Sequence, residues 1–393
     1  MVIREITKNV HGIIMNDWDR RLFDELIPLP DGTTYNAYLI KDEKNVLVDT
    51  SDPSKSEKFI RVLKDLSGGR IDYIVSNHSE QDHSGCIPRV LEEFSGSRVI
   101  ASDKGVSLLT KLLHIPEERC MKVADGEELS TGSRRLRFMY APWVHWPETM
   151  ITCDIDDRIL FPCDLFGSHL ATSSFYASCN ERLYSSAKRY YAEIMMPFRN
   201  NIRKHLRLVE NLDIGIIAPS HGPVYNNPDF IVSAYRDWVS DSVKNEVVIP
   251  YVSMHGSVAR MVDFFVDSLI RKGIEAKPFN LTATDVGELA MSLVDAATVV
   301  LGTPTVLTGP HPSAVYATYL FKVLRPKTRF ISVIGSFGWG GNMLKSITDM
   351  LPSGNLEILS PVIVNGYPGN PDFESLENLA KTILEKHKEL NLL

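Results

Sequence analysis

Residues 77–85 read NHSEQDHSG, placing His78, Glu80, Asp82 and His83 within six positions directly after the strand-like run IDYIVS. Imidazoles mixed with carboxylates suit divalent ions of intermediate hardness, and a loop can turn alternate side chains toward one point. Three more candidates follow other strand-like runs: His145 in APWVHWPE, Asp164 in FPCDLFG and His221 in APSHGPV. Taken singly, a histidine or aspartate at a strand end is commonly a capping residue. Taken together, seven donors at the ends of strands sharing one sheet would converge on a single edge and could hold two metal ions.

A second set of residues suits an anion and a flat ring. Ser253, Met254, His255, Gly256 and Ser257 lie between a strand and a helix, where hydroxyls and free backbone N–H groups face a phosphate and glycine lets the main chain approach. Two further strand-end loops should lie beside the first. One is Gly302-Thr303-Pro304-Thr305, running on into Val306; the other runs from Gly335 to Gly341 and contains Ser336, Phe337, Gly338, Trp339 and Gly340. Small residues admit a ring, and an indole can pack on it.

The elements that must position these residues fall into two patterns. At 393 residues the chain exceeds one ordinary core, and two domains are expected, 1–245 and 246–393. The first half reads as mixed α/β, with a hairpin over 34–50 and strands near 71–76, 135–141, 157–163 and 213–219. The second alternates strands (246–253, 275–281, 297–304, 329–336, 356–364) with helices (257–272, 285–295, 312–324, 342–351, 373–390). Five such units predict a parallel sheet covered on both faces.

Bulk properties remove several function classes. No apolar stretch is long enough to cross a bilayer, and the charged N-terminus lacks a signal-peptide core, so a cytoplasmic protein is expected. Five cysteines without a C-x-x-C pair make a poor disulfide framework. A net charge of -7 without a dense basic run argues against nucleic-acid binding. The nicotinamide fingerprint G-x-G-x-x-G is missing, and YVSMHGS lacks the acids of a response-regulator receiver.

The order H-x-E-x-D-H, H, D, H resembles the flavodiiron proteins, as do the five βα units with their three loops. The resemblance implies an N-terminal metallo-β-lactamase-like αββα sandwich and a C-terminal flavodoxin-like doubly wound sheet. It also implies FMN and two iron ions: His78, Glu80 and His145 would hold one iron, Asp82, His83 and His221 the other, and Asp164 would bridge. Trp146, His169 and Tyr191 match stretches near the site and are expected to orient ligands or donate hydrogen bonds. The activity implied is reduction of O2 to water, or of NO to N2O. Its electrons would come from rubredoxin, a flavoprotein or reduced coenzyme F420, the last suggested by MHGS, and the assembly implied is a head-to-tail homodimer or a dimer of dimers. Three departures from the family pattern stand out: Asp24 where several relatives have histidine, Val258, and Val306-Leu307-Thr308. Two other readings use the same residues, a dinuclear zinc hydrolase and a non-enzymatic O2 or NO sensor.

Overall fold

The computed structural model describes residues 1–352 and 354–393, which divide into two compact units, Met1–Val239 and Ser240–Leu393. In the first unit, strand Thr33–Ile40 is buried along its whole length. Successive side chains of a strand point to opposite faces, so this one must be covered on both. Tyr35, Ala37 and Leu39 pack with Phe59, Leu63, Val106 and Leu109 of helices Ser56–Ser67 and Asp103–Leu113. Tyr38 and Ile40 turn the other way, into a core shared with Leu136, Phe138, Met150 and Phe161.

That second core lies between two sheets. One runs Val2–Thr7, Val10–Asp17, Thr33–Ile40, Val46–Val48, Tyr73–Val75, Arg98–Ala101, Cys120–Lys122, antiparallel through Val46–Val48 and parallel thereafter. The other runs Glu128–Ser130, Arg135–Tyr140, Met150–Asp154, Ile159–Phe161, Ile216–Ile217, with its last pair parallel. This is the αββα sandwich.

The second unit has five parallel positions in the order Glu275–Asn280, Lys244–Tyr251, Ala296–Val306, Phe330–Phe337, then Glu357–Ile358 and Val362–Asn365. This is the doubly wound order 2-1-3-4-5, whose crevice lies at the carboxyl ends of the strands. Helices Ser257–Ile270 and Asn370–Glu389 bury Phe265, Leu269, Leu376 and Ile383 on one face. The expected strand 356–364 is two short strands, because Ser360-Pro361 cannot continue the ladder.

His387 gives this unit a pH dependence. It is fully buried. Asn245 Nδ2 donates to Gly273 O (2.8 Å), which turns Asn245 Oδ1 toward His387 Nδ1 (2.7 Å) and leaves Nε2 to accept from the Thr298 hydroxyl (2.8 Å). Burial pulls the imidazole down from 6.5 to about 4. The unfolded chain therefore takes up a proton that the folded chain refuses, and stability is lost as pH falls from 6.5 toward 4. Denaturant midpoints of this unit should fall across that window, and the step should vanish in His387→Gln.

Candidate metal centre and anion cradle

The loop after Tyr73–Val75 is fixed before its ligands are considered. Asn77 N and Nδ2 donate to the two oxygens of buried Asp49 (2.8 and 3.0 Å), and Thr152 Oγ1 donates to Asn77 Oδ1 (2.7 Å). Ser84 Oγ closes the turn onto Ser79 O (2.8 Å), and Thr50 N holds His83 O (2.7 Å). His145 sits in the loop joining Arg135–Tyr140 to Met150–Asp154. Asp164 and His221 follow Ile159–Phe161 and Ile216–Ile217. The expectation of one sheet edge needs correcting: His78 follows a strand of the first sheet, whereas Asp164 and His221 follow strands of the second. Two facing sheets open at a common end, and the donors meet there.

The turn at His221 depends on glycine. Asn36 Nδ2 donates to Pro219 O and Gly222 O (both 2.8 Å), Ser168 N donates to His221 O (3.2 Å), and Gly222 has φ +81°. A Cβ at Gly222 would lie 2.1 Å from Ser168 Oγ. Neither the backbone conformation nor the space admits a side chain.

Two donor clusters result. In one, His78 Nε2 and His145 Nε2 lie 3.1 and 3.2 Å from Glu80 Oε2, and 3.6 and 3.5 Å from Asp164 Oδ2. In the other, His83 Nε2 is 3.3 Å from Asp82 Oδ1 and His221 Nε2 is 3.2 Å from Asp82 Oδ2. Asp164 Oδ1 lies 3.0 and 3.4 Å from the same two nitrogens. Donors bound to one ion at about 2.1 Å in tetrahedral array lie about 3.4 Å apart, so the spacing fits a metal. Among the described residues, both oxygens of Asp82, Asp164 Oδ2, His83 Nε2 and His221 Nε2 are buried without a hydrogen-bond partner, which a cation would relieve. Cys163 lies close to His83 and Asp164, but burial pushes its thiol far up and keeps it protonated.

The carboxylates create a field that favours positive charge. Burial opposes the imidazolium of His78, yet the hydrogen bonds it donates to Glu148 and Glu80 outweigh it and push the pKa up to about 10. His145 behaves alike through Asp164 and Glu80, reaching about 10. His83 reaches about 9 against burial, through Asp82 and Asp164. Burial would raise Asp164, but His83 and His145 hold it well below the carboxylate range. The same field that retains these protons favours a divalent cation in their place.

Outer hydrogen bonds select tautomers. His78 Nδ1 donates to Glu148 Oε1 (2.8 Å) and His221 Nδ1 to Thr34 O (2.6 Å), so in the neutral form that would hold a metal both Nε2 lone pairs would point into the donor clusters. Neither Glu148 nor Thr34 was among the expected site residues, although Glu148 stands three positions after His145 in the same motif. Glu148→Gln keeps the shape and an acceptor but removes the charge. It should weaken metal binding about 10-fold, the lower end for an outer partner, as read by metal competition with a chelator.

Of the three expected orienting residues, Trp146 packs edge-on against His78 (5.0 Å between centroids). His169 lies 4.9 Å from His221 by ring centroids, and its Nδ1 meets Thr33 Oγ1 at 2.9 Å. Burial and neighbouring His221 keep His169 neutral. Tyr191 is a correction: its hydroxyl donates to Trp238 O (3.2 Å) and its ring packs with Tyr235 and Trp238. The hydroxyl that reaches the site is that of Tyr190, donating to Asp164 Oδ1 at 2.7 Å. The helix Glu181–Tyr190 passes into a π turn over Tyr191–Met195 at this point, and that change of winding is invisible to residue spacing. Asp24 tips the hairpin Leu22–Phe23/Ile27–Pro28, and partial burial with the fields of Glu80 and Asp82 pushes it up to about 6.

In the second unit the three loops are neighbours, since Tyr251 pairs with Gly302 and Pro304 with Ser336. Ser257 opens a 14-residue helix with no acid in its first turn, and its Oγ meets Ser336 Oγ at 2.7 Å. Gly256 has φ +83°, and a Cβ there or at Gly338 would meet nothing within 4 Å. An open helix N-terminus ringed by hydroxyls fits a phosphate. Ser253 Oγ instead accepts from Ala259 N (3.0 Å) and braces the turn. Met254, His255 and Trp339 are exposed beside the cradle, whereas Thr305 packs near Gly341. Val306 extends its strand to pair with Gly309 around Leu307-Thr308, both at positive φ, so this departure from the family pattern builds a hairpin. Val258 is fully buried in the core.

The family profile described as ODP family beta lactamase matches residues 33–222. The chain is 33% identical over 388 residues to a nitric oxide reductase of Moorella thermoacetica, covering 96% of this chain and 97% of that one. It is 30% identical to a coenzyme F420H(2) oxidase of Methanocaldococcus jannaschii, covering 99% and 98%. Among solved structures, the rubredoxin oxygen:oxidoreductase of Desulfovibrio gigas superposes with a TM-score of 0.95 at 29% identity, covering 99% of each chain. Matching over both units, in sequence and in fold, the chain belongs to the flavodiiron proteins, a family of oxidoreductases.

Proposed function

We propose that this protein reduces O2 to water, NO to N2O, or both, at two iron ions in the first unit, with electrons relayed through FMN in the second. The observation that carries the reading is the pair of matched donor clusters sharing Asp164, in one chain with an open phosphate cradle. His78, Glu80 and His145 would hold one iron and Asp82, His83 and His221 the other. Ser257, Gly256 and Ser336 would receive the flavin phosphate, with Trp339 and the loops ending in Thr305 and Gly340 beside the ring. When bound, flavin and iron supply the electrons, since both change oxidation state.

The chain's own residues supply geometry and protons. Glu148 and the Thr34 carbonyl fix which nitrogens of His78 and His221 face inward. Both reductions consume protons as well as electrons. Burial and Asp164 hold the Tyr190 pKa far above its usual value, so its hydroxyl keeps a proton at the carboxylate between the two clusters. His169, neutral and buried, lines the same wall, and Trp146 shields His78 from water.

The partners that fit are an external donor and a second copy of the chain. Relatives named for rubredoxin and for reduced F420 support donors of those classes, or a flavoprotein. A head-to-tail homodimer would bring the flavin of one copy against the irons of the other. Five free cysteines support a reducing cytoplasm. The test is anaerobic reduction of the purified protein, followed by O2 or NO with consumption read at an electrode. Multiple turnover with either supports the reading. Zinc without iron, together with ester hydrolysis, would overturn it, as would a single turnover followed by arrest.

A further inference from the structure

The two metal positions have the same inner donors: two imidazoles, one carboxylate and one oxygen of Asp164 each. Their surroundings differ. In the first cluster His78 Nδ1 is held by the Glu148 carboxylate, and His145 keeps 14% of its side chain exposed, so solvent can serve its outer edge. In the second cluster His221 has only a backbone carbonyl, and His83 Nδ1 is buried without a hydrogen-bond partner among the described residues. An outer acceptor raises the basicity of a ligating imidazole and fixes its orientation, so His83 is the weakest donor of the four.

A separate observation points the same way. Asp164 Oδ1, the oxygen facing His83 and His221, also accepts the Tyr190 hydroxyl at 2.7 Å, whereas Oδ2 has His78 and His145 Nε2 at 3.6 and 3.5 Å and no closer hydrogen-bond partner among the described residues. A hydrogen bond withdraws electron density from the oxygen that receives it, so the shared carboxylate gives less to the second position than to the first.

We propose that the metal positions are unequal by construction: the site of His78, Glu80 and His145 fills first and holds its ion more tightly. The site of Asp82, His83 and His221 binds more weakly and leaves its ion the stronger Lewis acid. The inference rests on the two-metal reading above. Repulsion between two cations would separate the binding steps even in a symmetric site, so the order of filling and the response to variants decide the matter.

The full chain is stripped of metal and equilibrated with Co2+ at buffered free concentrations. Bound cobalt is counted per chain, and crystals of protein carrying one equivalent are used to locate the ion by anomalous scattering. The first Co2+ should sit among His78, Glu80 and His145. Glu148→Gln should weaken the tight step about 10-fold and leave the weak step in place. Tyr190→Phe should tighten the weak step, because it frees Asp164 Oδ1. The first ion at Asp82, His83 and His221, equal occupancy of both positions, or a weak step unmoved or loosened by Tyr190→Phe would overturn the proposal while leaving two-metal binding intact. Fewer than two ions per wild-type chain would instead sink the two-metal reading.

Discussion

Asp164→Ala protein should purify with its flavin and without its metal, and its O2 or NO turnover should fall by more than about 100-fold, beyond the cost of losing an outer partner. Among the described residues, Asp164 is the only side chain whose oxygens face all four histidines, Oδ2 toward His78 and His145 and Oδ1 toward His83 and His221. Removing it strips a negative charge from both positions and leaves buried imidazoles crowded together, their rings 4.9 to 5.7 Å apart. The cradle belongs to the other compact unit and should not register the change. Metal analysis and the flavin spectrum of one sample decide this. Loss of flavin together with metal would contradict separate sites.

The reverse experiment is Ser257→Glu. The carboxylate would lie at the start of helix Ser257–Ile270, where the free N–H groups favour any anion, so it would compete with the phosphate for them and repel it. Like charges about 4 Å apart cost about 4 kcal/mol at the dielectric near a protein surface. Halving that for a partly exposed position leaves roughly a 30-fold loss of FMN affinity. The broken contact with Ser336 adds to it. Titration of flavin-free protein with FMN measures the change, and metal content should match wild type. Unaltered flavin affinity would place the phosphate elsewhere.

How much of this was legible in the residues follows from the kind of signal each feature leaves. The seven metal-ligand candidates stand out because histidine and carboxylate recur at strand ends, and strand ends can be found from β-branched runs. The βα alternation of the second unit is legible for the same reason, with turn residues between periodic segments. Residues that act on other residues leave no such mark. Glu148 is one acid among many until the fold brings it to His78. Thr34 contributes a backbone oxygen, which any residue type could supply.

Tyr190 and Tyr191 show the limit most clearly. Adjacent tyrosines on a helix point in different directions, and which one faces the site depends on helical phase. A π turn shifts that phase without any sequence marker, so the choice of Tyr191 over Tyr190 could not be made by spacing. The N-terminal strands Val2–Thr7 and Val10–Asp17 escaped for another reason. Val10–Asp17 carries apolar residues for both cores, Val10 and Ile14 toward one and Ile13 and Met15 toward the other, so the alternation that marks a half-buried strand is absent.

The glycine after His221 carries a wider implication. It touches no ion and offers no functional group, yet any side chain there would push on Ser168, whose amide holds the His221 carbonyl, and so swing the imidazole off its aim. A survey of every substitution along the chain would rank position 222 with the histidines and acids themselves, and a reader of such a survey would mistake enforced emptiness for chemistry.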